Sequence, residues 1–197
     1  MILTIPPGEF DAFIFDCDGT LIDSMPLHLD AWRAALDLHG FPAEQFTHKM
    51  HHEFAGMPGP AIVRVLNQQF GVTLPPAGVE AAKLEWYLAH HDAIKPVSAV
   101  VEIARSHLGR KPMAVASGSD AEIVRQGLAA VGILDWFQTV ITPVDVAKGK
   151  PAPDMFLLAA ERLKVKPERC LVFEDGLLGI AAAEAAGMPY VLVPTQT

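Results

Sequence analysis

The chain has 197 residues, 51% hydrophobic and 19% charged, enough to bury one good core and a smaller second one. With 15 basic against 23 acidic residues its formal charge is −8, which excludes the broad basic face that a nucleic-acid backbone needs but allows a small anion held by a few local cations. Its apolar runs are too short for a membrane span and the start MILTIPPGEF lacks the parts of a secretion signal, so a cytoplasmic protein with no nucleic-acid and no membrane partner is expected.

Residues 13–15 (FIF) are a short apolar run of strand formers and read as a buried strand. Two acids come next, where the strand should end. Side chains at i and i+2 of extended backbone point the same way, so Asp16 and Asp18 are expected to face one small volume while Cys17 turns away. Gly19 permits a sharp turn and Thr20 adds a hydroxyl. Alone, DCDGT would read as an acidic turn capping a helix. The later segments of the chain argue otherwise.

Residues 26–40 repeat apolar side chains at helical spacing and end at a glycine. Helical text continues over 43–54, 60–70 and 78–94, and no strand is expected between Leu21 and Lys95. The first strand is thus followed by a helical insertion of about 70 residues, the size of a small appended subdomain. The expected boundaries are residues 1–23 and 96–197 for an α/β core and 24–95 for the helical insert. From Pro96 helix and strand alternate: helix 97–108, strand 113–116, helix 120–131, strand 139–142, helix 153–163, strand 170–173, helix 177–186 and strand 190–193. Strict alternation with apolar strands means a doubly wound parallel sheet, Rossmann-like, covered on both faces. Cys17 and Cys170 read as reduced, small buried side chains.

Each later strand ends in a group useful to phosphate chemistry. AVASGS places Ser117 and Gly118 just before a helix N-terminus, where anions are favoured, although serine there is also an ordinary cap. KGKPAPD fixes Lys150 in a stiff turn before two prolines. LVFEDG ends in Glu174 and Asp175. In a doubly wound sheet these ends converge on one crevice, so Asp16, Asp18, Glu174 and Asp175 should crowd together and repel unless a cation sits among them. Hard oxygen ligands with room for water and a phosphate oxygen suit Mg²⁺; Lys150 and Ser117 then hold a phosphoryl group.

These segments resemble the haloacid dehalogenase superfamily, through FDCDGT, VASGS, KGKPAPD and FEDGLLGI in that order along nearly the whole chain, with the insert similar to its small α-helical cap. DSMPLHLDAW, KPAPD and FEDGLLGI are most similar to the β-phosphoglucomutase-like group, which includes small sugar phosphatases of the fructose-1-phosphate phosphatase type. The resemblance implies Asp16 as nucleophile, Asp18 as general acid and base, and Mg²⁺ held by Asp16, the Asp18 carbonyl and Asp175 with Glu174 at or near it. Ser117, Gly118 and Lys150 become the phosphate site.

His28 and Lys83 match positions where the mutases touch substrate, and Asp23 either orients His28 or caps the helix after it. Gly59 stands where the mutases carry an arginine for a second phosphate, with Arg64 the nearest substitute, which favours hydrolysis over isomerisation. His48, His51, His52 and Glu53, like His90 and His91, read as solvated helix residues and not as a transition-metal site. The expected function is a Mg²⁺-dependent phosphatase of a small phosphorylated metabolite, working as a monomer. A phosphohexomutase and a ligand-binding protein that kept the fold are the alternatives.

Overall fold

The computed structural model describes residues 3–54, 57–91 and 94–194. It divides into two compact units, Met1–Ser24 with Ile94–Thr197, and Met25–Ala93.

The first unit is built on a five-stranded parallel sheet. Its strands are β1 (Ala12–Phe15), β4 (Met113–Ala116), β5 (Thr139–Ile141), β6 (Cys170–Glu174) and β7 (Tyr190–Leu192), in the order β5-β4-β1-β6-β7. β1 is central, with Phe15 opposite Val115 on one side and Phe173 on the other. The chain builds outward from β1 through β4 to β5, then returns to add β6 and β7 on the opposite side. That reversal opens a crevice at the carboxyl ends of β1 and β6.

The alternation of β1 sorts the two faces. Ala12 and Ile14 pack with α7 (Asp154–Leu163) and α8 (Leu177–Ala185), through Met155, Phe156, Ala159, Ala182 and Ala183. Phe13 and Phe15 point the other way. There Phe15 stacks on Phe173 at 4.9 Å and Phe13 meets His107 of α5 (Ser98–His107) at 4.2 Å. α6 (Ala121–Ala130) buries Ile123, Val124 and Leu128. Each large side chain so enclosed contributes about 1.5–3 kcal/mol, and the many alanines let the helices lie close to the sheet.

One expectation needs correction. A strand does occur between Leu21 and Lys95: β2 (Ile22–Asp23) pairs antiparallel with β3 (Lys95–Pro96) at the end of that interval, with Ile22 opposite Pro96. Val97 N donates to Leu21 O at 2.9 Å and extends the ribbon. It ties together the places where the chain leaves this unit and returns to it. Two residues per strand, one a proline, leave no periodicity to read. Asp23 therefore sits in a strand and not on a helix cap.

The second unit is helical: α1 (Met25–Leu38), α2 (His48–Glu53), α3 (Gly59–Phe70) and α4 (Pro76–His90). Leu29, Trp32, Leu36, Phe46, Ile62, Leu66 and Val79 form its core. Asn67 fixes the turn after α3, donating to Leu74 O at 2.9 Å and accepting from Leu74 N at 2.7 Å, while Gly71 ends the helix at φ 66°. Residues 43–54 do not form one helix. A short 3₁₀ turn at Ala43–Gln45 stops at the fully buried Phe46, and Thr47 then caps α2 by accepting from Met50 N at 3.2 Å. Among the described residues, no helix is long and apolar enough to cross a membrane.

Candidate active site

β1 stops at Phe15, but pairing runs one residue further, since Asp16 N donates to Phe173 O at 2.9 Å. The chain then turns tightly on the Cys17 carbonyl, which accepts from the amides of Thr20, Leu21 and Ile22. Gly19 is required in that turn. Its φ is +82°, and any β-carbon there would overlap the Asp175 carboxylate. Cys17 is buried, and burial, then the charge of Asp18, pushes its thiol far from ionisation.

Asp16, Glu174 and Asp175 bring one carboxylate oxygen each to within 4.8 Å of one another. Lys150 lies among them: its Nζ donates to Asp16 Oδ1 at 2.6 Å and to Glu174 Oε2 at 2.7 Å, with its own side chain 7% exposed. The other oxygen of Glu174 accepts from Gly176 N at 2.9 Å, and Thr20 Oγ1 donates to Asp175 Oδ1 at 3.0 Å. Gly179 makes space for Glu174, whose carboxylate occupies the volume a β-carbon at 179 would take.

Burial holds Asp16 well above the usual carboxylate range, and the charge of Glu174 adds to that. Asp175 is pushed up to about 7 by burial and again by Glu174. Burial works to lower the Lys150 ammonium, yet its pairs with Asp16 and Glu174 raise it, so the lysine stays charged. One ammonium facing three carboxylates leaves an excess of negative charge. Hard oxygens this close together, short of positive charge, fit a small divalent cation such as Mg²⁺.

The Asp18 carboxylate supplies none of those three oxygens, although its charge reaches Asp16 and raises it further. Ser24 Oγ donates to Asp18 Oδ1 at 2.5 Å, Ser119 Oγ donates to its Oδ2 at 2.6 Å, and Ser117 Oγ stands 3.5 Å from the same oxygen. Hydroxyl donors stabilise a carboxylate where a further like charge would repel it. Ser117 is buried at the tip of β4, its amide bonded to Ile141 O, while the following Gly118 is exposed with open space about it. α6 is capped by Asp120, which accepts from Glu122 N at 2.8 Å, so these serines are not its caps. Ser24 and Ser119 escaped the sequence reading; their only signal was a hydroxyl inside DSMP and SGSD.

In the helical unit His28 is buried and stacks on Tyr87 at 4.5 Å, and the Lys83 ammonium lies 5.3 Å from the centre of the Trp32 ring. Arg64 is exposed on α3. His51 is half-buried and held down at about 3 by burial, then by the charges of His28 and Lys83. His48, His51 and His52 do not converge with any acid as a ligand set among the described residues. A depression of about 550 Å³ along the β5 edge, lined by Arg125, Phe137, Thr142, Asp145 and Arg162, contains none of the acids above.

The sequence pattern of the haloacid dehalogenase-like hydrolases matches residues 10–187, a span that takes in every acid, serine and lysine of this site. The chain belongs to that family. This haloacid dehalogenase-like hydrolase is 37% identical over 184 residues to fructose-1-phosphate phosphatase YqaB of Escherichia coli, covering 93% of this chain and 96% of the relative. It is 29% identical to a phosphorylated carbohydrates phosphatase of Thermotoga maritima, over 90% of this chain and 82% of that one. Its fold is that of a β-phosphoglucomutase from Clostridium difficile, with a TM-score of 0.75 at 24% identity, over 92% of this chain and 83% of that one.

Proposed function

We propose that this hydrolase is a Mg²⁺-dependent phosphatase that removes the phosphoryl group from a small phosphorylated sugar or related metabolite, with Asp16 as nucleophile and Asp18 as general acid and base. The observation that carries the reading is the division between the two aspartates. Asp16 is buried against an ammonium and two carboxylates, and Asp18 is held by serine hydroxyls. A carboxylate that attacks phosphorus needs positive charge around the incoming phosphoryl group. One that ferries a proton needs firm orientation.

Asp16, Asp175 and the Asp18 carbonyl would hold Mg²⁺, with Glu174 at or near it. When bound, the ion supplies charge that stabilises the phosphoryl oxygens. Lys150, the Ser117 hydroxyl and the backbone at Gly118 bind the same oxygens. An Asp16 oxygen forms a bond to phosphorus as the bond to the sugar oxygen breaks, and Asp18 gives that oxygen its proton. Asp18 then takes a proton from the water that attacks the aspartyl-phosphate, returning Asp16 and releasing phosphate.

The relatives named for fructose 1-phosphate and for phosphorylated carbohydrates support a sugar phosphate as substrate. Selection among sugars is assigned to the helical unit, with His28 and Lys83 as the contacts. Gly59 supports hydrolysis over isomerisation: the mutases it resembles carry an arginine there, whereas here a β-carbon would meet Glu80 Oε1 at 2.6 Å. Without a second phosphate clamp a bisphosphate is poorly held and water wins. The test is phosphate release from a panel of sugar phosphates with and without Mg²⁺, with isomers analysed. Asp16→Asn should remain folded and lose about 10³-fold or more in rate, as when a covalent nucleophile is removed. Near-normal turnover, or isomer accumulation without phosphate, would end the reading.

A further inference from the structure

Both oxygens of the Asp18 carboxylate are spoken for. Ser24, fully buried, donates to Oδ1 at 2.5 Å, and Ser119 donates to Oδ2 at 2.6 Å. Ser119 comes from the turn after β4, far along the chain, and is itself anchored there: its amide donates to Ser117 Oγ at 3.1 Å. Ser24 lies just beyond β2, so each oxygen is gripped from a different segment. Neither serine approaches Asp16, Glu174 or Asp175 through any hydrogen bond that the described residues show.

We infer that Ser119 and Ser24 are positioning residues that fix the Asp18 carboxyl for proton transfer to the leaving oxygen. A carboxyl on its short stem can rotate about two bonds, and the two donors, on opposite oxygens, remove both rotations. Serine suits the task because a hydroxyl donates and accepts. Each hydroxyl can keep donating to a lone pair of its oxygen whether or not the carboxyl is protonated, so the same pair holds Asp18 before and after it parts with its proton. The inference rests on the reading of Asp18 as general acid.

Its consequence is selective. Protonation of the departing oxygen matters when that oxygen is a sugar alkoxide, a poor leaving group, and matters little when it is a p-nitrophenolate, which leaves without a proton. The comparison uses kcat/KM, which reports on steps up to the first bond cleavage and not on the later attack of water. Asp18→Asn sets the reference pattern: a loss of about 10²-fold or more with a sugar phosphate and a much smaller one with p-nitrophenyl phosphate. Ser119→Ala should fall about tenfold with the sugar phosphate, with the loss for the aryl ester at least several-fold smaller.

Ser24→Ala should show the same pattern, and Ser119→Thr, which keeps the hydroxyl, should recover most of the loss. In an Asp18→Asn background Ser119→Ala should add little, because it acts through the missing group. Equal losses with both leaving groups, or additivity on Asp18→Asn, would overturn the inference by making Ser119 a phosphate contact or a purely structural residue. If Asp18→Asn itself shows no dependence on leaving group, the assignment of Asp18 is what fails. Circular dichroism and thermal melting of each variant separate misfolding from these outcomes, and the threonine variant carries the test if an alanine variant does not fold.

Discussion

Among the described residues Lys150 is the cation bonded to the site carboxylates, so replacing it by methionine isolates what that charge does. Its Nζ lies 2.6 Å from Asp16 and 2.7 Å from Glu174, all three side chains are less than a tenth exposed, and the Phe156 ring lies 5.1 Å beneath it. Methionine keeps most of the volume and the contact with Phe156, so the loss is chiefly electrostatic. Removing one partner of a buried pair costs about 3–5 kcal/mol because the charge left behind has no compensation. For a chain of this size that is a fall of about 10 °C in melting temperature.

The fall should depend on pH. Asp16 and Asp175 are both raised, Asp175 to about 7, so folding favours their protonated forms. A carboxyl whose folded value lies above its unfolded one favours the fold at low pH and loses that contribution as pH rises through the folded value. Below about pH 5 Asp175 carries its proton in the folded protein and has less need of the lysine's charge, so the gap between parent and Lys150→Met should shrink there and widen as pH rises through about 7 towards about 8. The assay is thermal melting followed by circular dichroism, in chelator, at both pH values. Added Mg²⁺ should restore much of the melting temperature at the higher pH and none of the phosphatase rate, which falls about 10²–10³-fold without the lysine. A variant that melts within about 2 °C of the parent at about pH 8, or whose deficit grows on acidification, refutes the charge argument.

Other outcomes rest on the same geometry. Mg²⁺ should raise the melting temperature of the parent more at about pH 8 than at about pH 5.5, since at the lower value protons compete for Asp16 and Asp175; a constant shift would contradict the cation site. Gly179→Ala places a methyl in the Glu174 carboxylate, and should cost about 1–3 kcal/mol in urea unfolding and weaken the Mg²⁺ response with it. Unchanged unfolding together with an unchanged Mg²⁺ response would show that α8 and Glu174 are less closely fitted than their contact implies.

The strands were legible where composition left no choice. FIF, MAVA and CLVF are apolar on both faces, which in a chain that alternates with helices means the middle of a parallel sheet, and the tips of β1 and β6 then fall at one edge. The ribbon Ile22–Asp23 with Lys95–Pro96 was not legible, because its pairing joins residues far apart and its sequence lacks a period. The break at Phe46 was hidden for a different reason: the apolar spacing of 43–54 continues through it, and only burial of the ring against Trp32 shows that the chain bends. In the site, residue type announced Asp16, Glu174, Asp175 and Lys150. What spacing does not carry is direction: Asp18, two residues from Asp16, turns to Ser24 and to a serine 101 positions away. The double ion pair of Lys150 is likewise a product of folding, since a lysine in a loop looks like solvated surface until its partners surround it.

Passage of a phosphoryl group to Asp16 is the central step of the proposed reaction, and acid-quenched phosphoenzyme mapped by peptide mass spectrometry tests it most directly. With Mg²⁺ and p-nitrophenyl phosphate, whose leaving group needs no proton, and with Asp18→Asn used to slow attack by water, the phosphoryl label should appear on the peptide that carries Asp16 and vanish in the Asp16→Asn, Asp18→Asn double variant. Steady phosphate release with the label on another residue, or with none in either protein, would contradict it.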